Sequence, residues 1–141
     1  MKKFEFLEHT ADVYVATYGA TFEEAFENAA LAMFETMTDT KTIRPELKET
    51  VEIAGEDEYA LLYSWLEALL LKFEVEGKLY SKFNVNIRKK PEGYALKAEI
   101  FGELFDPEKH PSKVAVKAVT YHRMEIAKKD GGFSVKFILD I

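Results

Sequence analysis

The 141-residue sequence contains no cysteine. That excludes disulfides and thiolate chemistry, and it fits a reducing, cytoplasmic setting. No apolar run approaches the length that spans a bilayer, so no membrane association is expected. The start, Met1-Lys2-Lys3-Phe4-Glu5, meets an acidic side chain too early for a secretory signal. The phosphate-binding and hydrolase signatures G-x-x-x-x-G-K, G-x-G-x-x-G, H-E-x-x-H and G-x-S-x-G are all missing. Histidine, at three residues, is unremarkable. Basic charge is scarce in one half of the chain. Residues 1–77 carry a net −11 and residues 78–141 a net +5, for a total of −6. An acidic total argues against an autonomous nucleic-acid binder, although the asymmetry permits a basic patch in the second half.

What is present is a globular composition, 48% apolar and 31% charged. The length suits one domain, residues 1–141. Lys3 to Leu7 and Val13 to Tyr18 read as strands, the second with period-two alternation. Thr21-Phe22-Glu23-Glu24 is a capping box, in which Glu24 is expected to reach back to Thr21. It opens a helix to about Met37 whose apolar stripe includes Phe22, Phe26, Ala29, Met33 and Met37. A short strand is expected at Thr50 to Ala54. A second helix follows over Asp57 to Val75, with Trp65 in the core and Gly77 as its stop.

Ser81 to Lys89 and Tyr94 to Phe101 form a hairpin about Pro91-Glu92-Gly93. A polar excursion from Gly102 to Ser112 holds Glu103, Asp106 and His110. Val114 to Lys129 and Phe133 to Leu139 form the last hairpin, about Asp130-Gly131-Gly132. Its apolar faces match when paired residue numbers sum to an odd value such as 261 or 263. Asp140 then lies opposite Tyr121 or Arg123, off the core face, and His122 falls on the apolar face as a buried histidine. The elements imply an α+β fold: a mainly antiparallel sheet with two helices packed on it.

Chemistry concentrates at Glu8-His9-Thr10-Ala11-Asp12 and at Asp140-Ile141. If the two ends meet, Asp12, Asp140 and the carboxylate of Ile141 offer hard oxygen ligands for a divalent cation, Ca²⁺ or Mg²⁺. The plainer reading is a polar turn in which His9 or Thr10 satisfies local backbone groups. His110 reads as a surface residue or a loop anchor.

Phe6-Leu7-Glu8-His9-Thr10-Ala11-Asp12-Val13, Leu62-Tyr63-Ser64-Trp65-Leu66, Gly102-Glu103, Lys117-Ala118-Val119-Thr120-Tyr121-His122 and Phe137-Ile138-Leu139-Asp140-Ile141 together resemble the archease family over essentially the whole chain. The resemblance implies a non-enzymatic accessory protein of RNA metabolism. Such proteins activate the RtcB-type tRNA-splicing ligase by promoting guanylylation of its histidine, support multiple turnover and widen its nucleotide choice. It also implies an embedded strand-helix-strand-strand unit. The implied metal ligands are Asp12, Asp140 and Ile141, for Ca²⁺ with Mg²⁺ or Mn²⁺ as alternatives. His9 and His122 would orient them from behind. A chaperone of a tRNA methyltransferase is the first alternative function. A metal-dependent hydrolase with His9 as base is the second, weakened by the missing nucleophile and phosphate loop.

Overall fold

The computed structural model describes residues 2–8 and 12–141. The expectations for His9, Thr10 and Ala11 therefore lie outside the described residues. The α+β class stands, with two helices packed on antiparallel sheet. The strands divide between two sheets. One has four strands in the order β1 (Phe4–Leu7), β2 (Val13–Gly19), β7 (Gly132–Asp140), β6 (Ala118–Lys129). The other has three, in the order β3 (Leu47–Gly55), β5 (Gly93–Leu104), β4 (Lys78–Lys90). Helix α2 (Glu58–Glu76) connects β3 to β4, so β3-α2-β4-β5 is the embedded unit.

Helix α1 (Phe22–Met37) starts where the capping box places it: the Glu24 N–H donates to Thr21 Oγ1 at 3.0 Å. The return bond differs from expectation, because the Glu24 carboxylate accepts from the Ala20 N–H at 2.9 Å rather than from Thr21. No residue of α1 is exposed. The sequence shows a one-sided stripe; the fold buries the other side as well. The helix packs on β1, β2 and β7 and also on β4 of the second sheet. Its polar positions are satisfied locally, with Asn28 Nδ2 donating to Tyr18 O at 2.6 Å and Thr36 Oγ1 to Ala32 O at 2.9 Å. Glu27 accepts from the Val85 N–H on the β4 edge, which leaves that ladder group paired. Burial pushes the Glu27 carboxyl up, and the Val85 bond opposes that.

Helix α2 is capped by Asp57, whose carboxylate accepts from the Ala60 N–H at 2.8 Å. It ends at Gly77 in the left-handed region, φ 67°, where glycine avoids a Cβ penalty. It packs on β3, β4 and β5 and on β6 of the other sheet, so the two helices join the two sheets. Trp65 lies at the junction, fully buried, with Nε1–H donating to Phe26 O of α1 at 3.0 Å and its ring edge-on to Phe83 of β4.

Strand β3 runs from Leu47, three residues earlier than its apolar pattern suggests, because this sheet edge has a solvated face that needs no apolar residues. Strand β6 begins at Ala118, four residues later than expected. Residues 113 and 114 instead donate to the Met37 and Thr36 carbonyls at the end of α1, at 3.0 and 3.2 Å, satisfying groups the helix leaves open. The closing hairpin turns on Asp130 and Gly131, both at positive φ, as a two-residue turn of this twist requires.

Candidate functional site

Strands β2 and β7 are adjacent and antiparallel, from Gly19 opposite Phe133 to Val13 opposite Leu139. Alternation explains this register. Val13, Val15 and Thr17 share the core side with Leu139, Phe137 and Val135, and a one-residue slip would turn both sets off that side. Carried one step past its last pair, the register sets Asp12 against Asp140, on the side away from the core. The Asp12 segment therefore lies beside the C-terminal strand, whereas the first residues of the chain pair at the other end of β2, Phe4 opposite Thr17. Leu139 is fully buried while Asp140 is exposed, so the final residue pair changes from core to surface within one peptide. The Lys117 N–H donates to Asp140 O at 2.7 Å and steadies the Asp140 backbone from the third strand. Asp12 and Ile141 are half-buried.

Asp140 pairs with Ala118, not with Tyr121 or Arg123. Near the turn the β6–β7 register is the expected odd one, Glu125 opposite Lys136 and Ile126 opposite Val135. Between Thr120 and Glu125 strand β6 bulges, and beyond the bulge the pairing has shifted. Arg123 takes φ 57° inside it, and its guanidinium lies 5.6 Å from the centre of the Tyr14 ring. The bulge also corrects His122: strict alternation buries it, whereas the bulge exposes it together with Tyr121 and Arg123. Tyr121 stacks flat on Tyr63 of α2 at 4.4 Å. No pattern in the sequence marks this bulge, since it carries neither glycine nor proline.

Among the described residues the donors at this end are carboxylate and carbonyl oxygens, which suit a hard divalent cation rather than zinc. Among the described residues no cluster of three or more His, Cys, Asp or Glu side chains is assembled. A site here would draw on Asp12, Asp140, an oxygen of Ile141 and water.

Among the described residues the buried histidine is His110. Its Nδ1 accepts from the Asp106 N–H at 2.9 Å, which leaves Nε2 to donate to Glu103 Oε2 at 2.8 Å as the neutral tautomer. Glu103 also accepts from Lys109 Nζ at 2.7 Å and from the Arg44 N–H at 2.9 Å. The group ties the excursion after β5 to the loop before β3, so His110 is a loop anchor. Burial raises the Glu103 carboxyl, but Lys109, the Arg44 N–H and His110 outweigh it and bring it to about 2. A carboxyl depressed in the folded state stabilises above its ordinary value, 4.5, and that contribution is lost as pH falls from there toward 2. Urea unfolding at pH 6 and pH 3 checks this: Glu103→Gln loses less stability on acidification than wild type does. Glu49, held at about 2 by Tyr80, Lys72 and Lys78 against the effect of burial, adds to the same acid limb.

The model of the archease protein family matches residues 4–141. Protein archease of Sulfurisphaera tokodaii is 48% identical, and that of Thermococcus kodakarensis 46%, each over 100% of both chains. The solution structure of Methanobacterium thermoautotrophicum protein 1598 is 47% identical, covers 100% of both chains and superposes with a TM-score of 0.88. The crystal structure of a Thermotoga maritima archease, termed a possible chaperone, shares the fold at 19% identity, with a TM-score of 0.63 over 96% of this chain and 94% of that one. A family model spanning all but the first three residues, with full-length relatives near half identity, places this chain in the archease family.

Proposed function

We propose that this protein activates an RtcB-type tRNA-splicing ligase without itself being an enzyme, promoting guanylylation of the ligase through a cation-bearing tip. The observation that carries the reading is the β2–β7 register, which, carried one step on, sets Asp12 beside Asp140 at one end of the sheet's two central strands. That end of the sheet joins its two central strands. It offers two carboxylates on a backbone steadied by three paired strands, β2, β7 and β6. Asp12, Asp140 and an oxygen of Ile141 would hold the cation, Ca²⁺ by preference and Mg²⁺ or Mn²⁺ by donor type. A hard cation there supplies a Lewis-acidic contact for triphosphate oxygens. The chain's own part is to fix the ligands: the ladder orients Asp140, and Arg123 over Tyr14 packs the same outer face.

The test is single-turnover guanylylation of a cognate ligase with this protein present. Asp12→Ala and Asp140→Ala should each cut the acceleration by about tenfold or more, as loss of a ligand does. Acceleration equal to wild type in both variants would sink the reading.

A methyltransferase chaperone is the second reading. It rests on exposed apolar residues of α2 and β5, Leu71, Val75 and Leu104, and on the description of the Thermotoga maritima protein. It predicts suppression of partner aggregation that survives both aspartate substitutions and falls with Val75→Lys. No helix among the described residues is long and apolar enough to cross a membrane.

A further inference from the structure

The three-stranded sheet has an unpartnered face. Both helices lie on its inner side, where Val51, Phe83, Leu96, Ala98 and Ile100 are buried. No strand of the other sheet touches it among the described residues. Register alignment puts Lys82 of β4 in line with Phe101 of β5 and Lys48 of β3, Asn86 with Lys97 and Glu52, and Arg88 with Ala95. The outer face therefore collects five basic residues, Lys48, Lys82, Arg88, Lys90 and Lys97, against two acidic ones, Glu52 and Glu99. That is a surplus of three positive charges in a chain whose total is −6. The basic bias of the second half of the sequence is thus largely gathered on one surface.

The charges on this face are only partly neutralised within it. Glu99 is engaged by Lys48 at 2.8 Å. Arg88, Lys90 and Lys97 have no carboxylate within 4.0 Å among the described residues. They are exposed, as are Asn84 and Asn86 between them. Residues on one side of a strand recur every ~7 Å, so β4 from Lys82 to Lys90 presents a line of cationic and amide donors about 27 Å long. Shallow grooves run beside that line, one floored by Ala54 and Ala95 and bounded by Arg88, Lys90, Lys97 and Glu52.

We infer that this face is a docking surface for single-stranded RNA, held mainly through its phosphates. Three features favour RNA over an acidic protein. Protein interfaces have apolar, lysine-poor centres, whereas the central rows of this face, Asn84–Glu99–Thr50 and Asn86–Lys97–Glu52, are polar and charged throughout. Only one aromatic ring, Phe101, lies on it, and Lys82 covers that ring at 4.9 Å. Amide side chains interleaved with cations can pair with 2′-hydroxyls between phosphates. The acidic remainder of the molecule repels phosphate elsewhere and orients a strand onto this sheet.

The experiment is fluorescence anisotropy of labelled U20 RNA titrated with the full-length protein at 50 to 500 mM salt. With roughly three phosphates engaged, the logarithm of affinity falls against the logarithm of salt with a slope near −2. The doubly substituted Arg88→Glu, Lys97→Glu protein, checked for folding by Trp65 emission, binds at least tenfold more weakly at 50 mM salt. Asp12→Ala binds like wild type, which separates this face from the cation-bearing tip. Binding unaffected by the double substitution would overturn the assignment. So would a (Glu)20 peptide that competes as well as unlabelled U20, by moving the face to a protein partner. Binding of dT20 at least as tight as U20 would overturn the choice of RNA.

Discussion

Truncating Trp65 to alanine is expected to lower global stability by about 3–5 kcal/mol, the cost of removing a large buried aromatic side chain. For a chain of this length that is roughly 10 °C or more in Tm. The reason is position as much as size. Trp65 belongs to α2, its indole N–H donates to the Phe26 carbonyl of α1, and its ring meets Phe83 of β4. Three elements drawn from both halves of the fold therefore meet at one side chain. Phenylalanine keeps part of the apolar contact and loses the hydrogen bond, so it should cost less than alanine by more than the ~1 kcal/mol of the bond itself. Trp65 is the only tryptophan, so unfolding of both variants is followed by far-ultraviolet circular dichroism. A loss below about 1 kcal/mol for the alanine variant would mean that the two helices are not coupled through this residue.

Calcium is expected to raise the wild-type Tm, and removal of it by a chelator to lower it again. A ligand at one hundred times its dissociation constant stabilises the state that binds it by about 2.7 kcal/mol, roughly 8 °C here. Asp140→Ala should lose nearly all of that shift. Asp140 is exposed, so its own carboxylate contributes little to the apoprotein, and the variant's Tm without metal should stay close to wild type. That pairing of outcomes distinguishes a ligand from a structural residue. An equal calcium shift in Asp140→Ala would place the cation elsewhere.

Much of the fold was legible because local signals agreed with it. Thr21 and Glu24 mark the start of α1, and Gly77 ends α2 in a backbone conformation that glycine adopts readily. Asp130-Gly131 fixes the closing turn and hence the register beside it. The burial of Val15, Phe137 and Leu139 follows from alternation alone. The candidate site was half legible: alternation puts Asp12 and Asp140 off the core face, and the motifs resemble one family. The bulge after Thr120 was not legible. It displaces the partner of Asp140 to Ala118 and turns His122 outward, and its only backbone peculiarity is Arg123 at positive φ. For His110 a loop anchor was one of two readings, and its partners were hidden, since the bonds of the group join residues up to 59 positions apart.

The sequence by itself determined most of the elements, the core sides of β2 and β7 and the family, because caps, turns and two- and 3.6-residue periodicities act over a few neighbouring residues. Tertiary structure decided how the hairpins join the other strands into two sheets, that Asp12 and Asp140 lie side by side, and that five basic side chains share one open sheet face. Those are contacts between distant segments, set by how two sheets and two helices can bury their apolar sides together, and no short stretch of sequence encodes them.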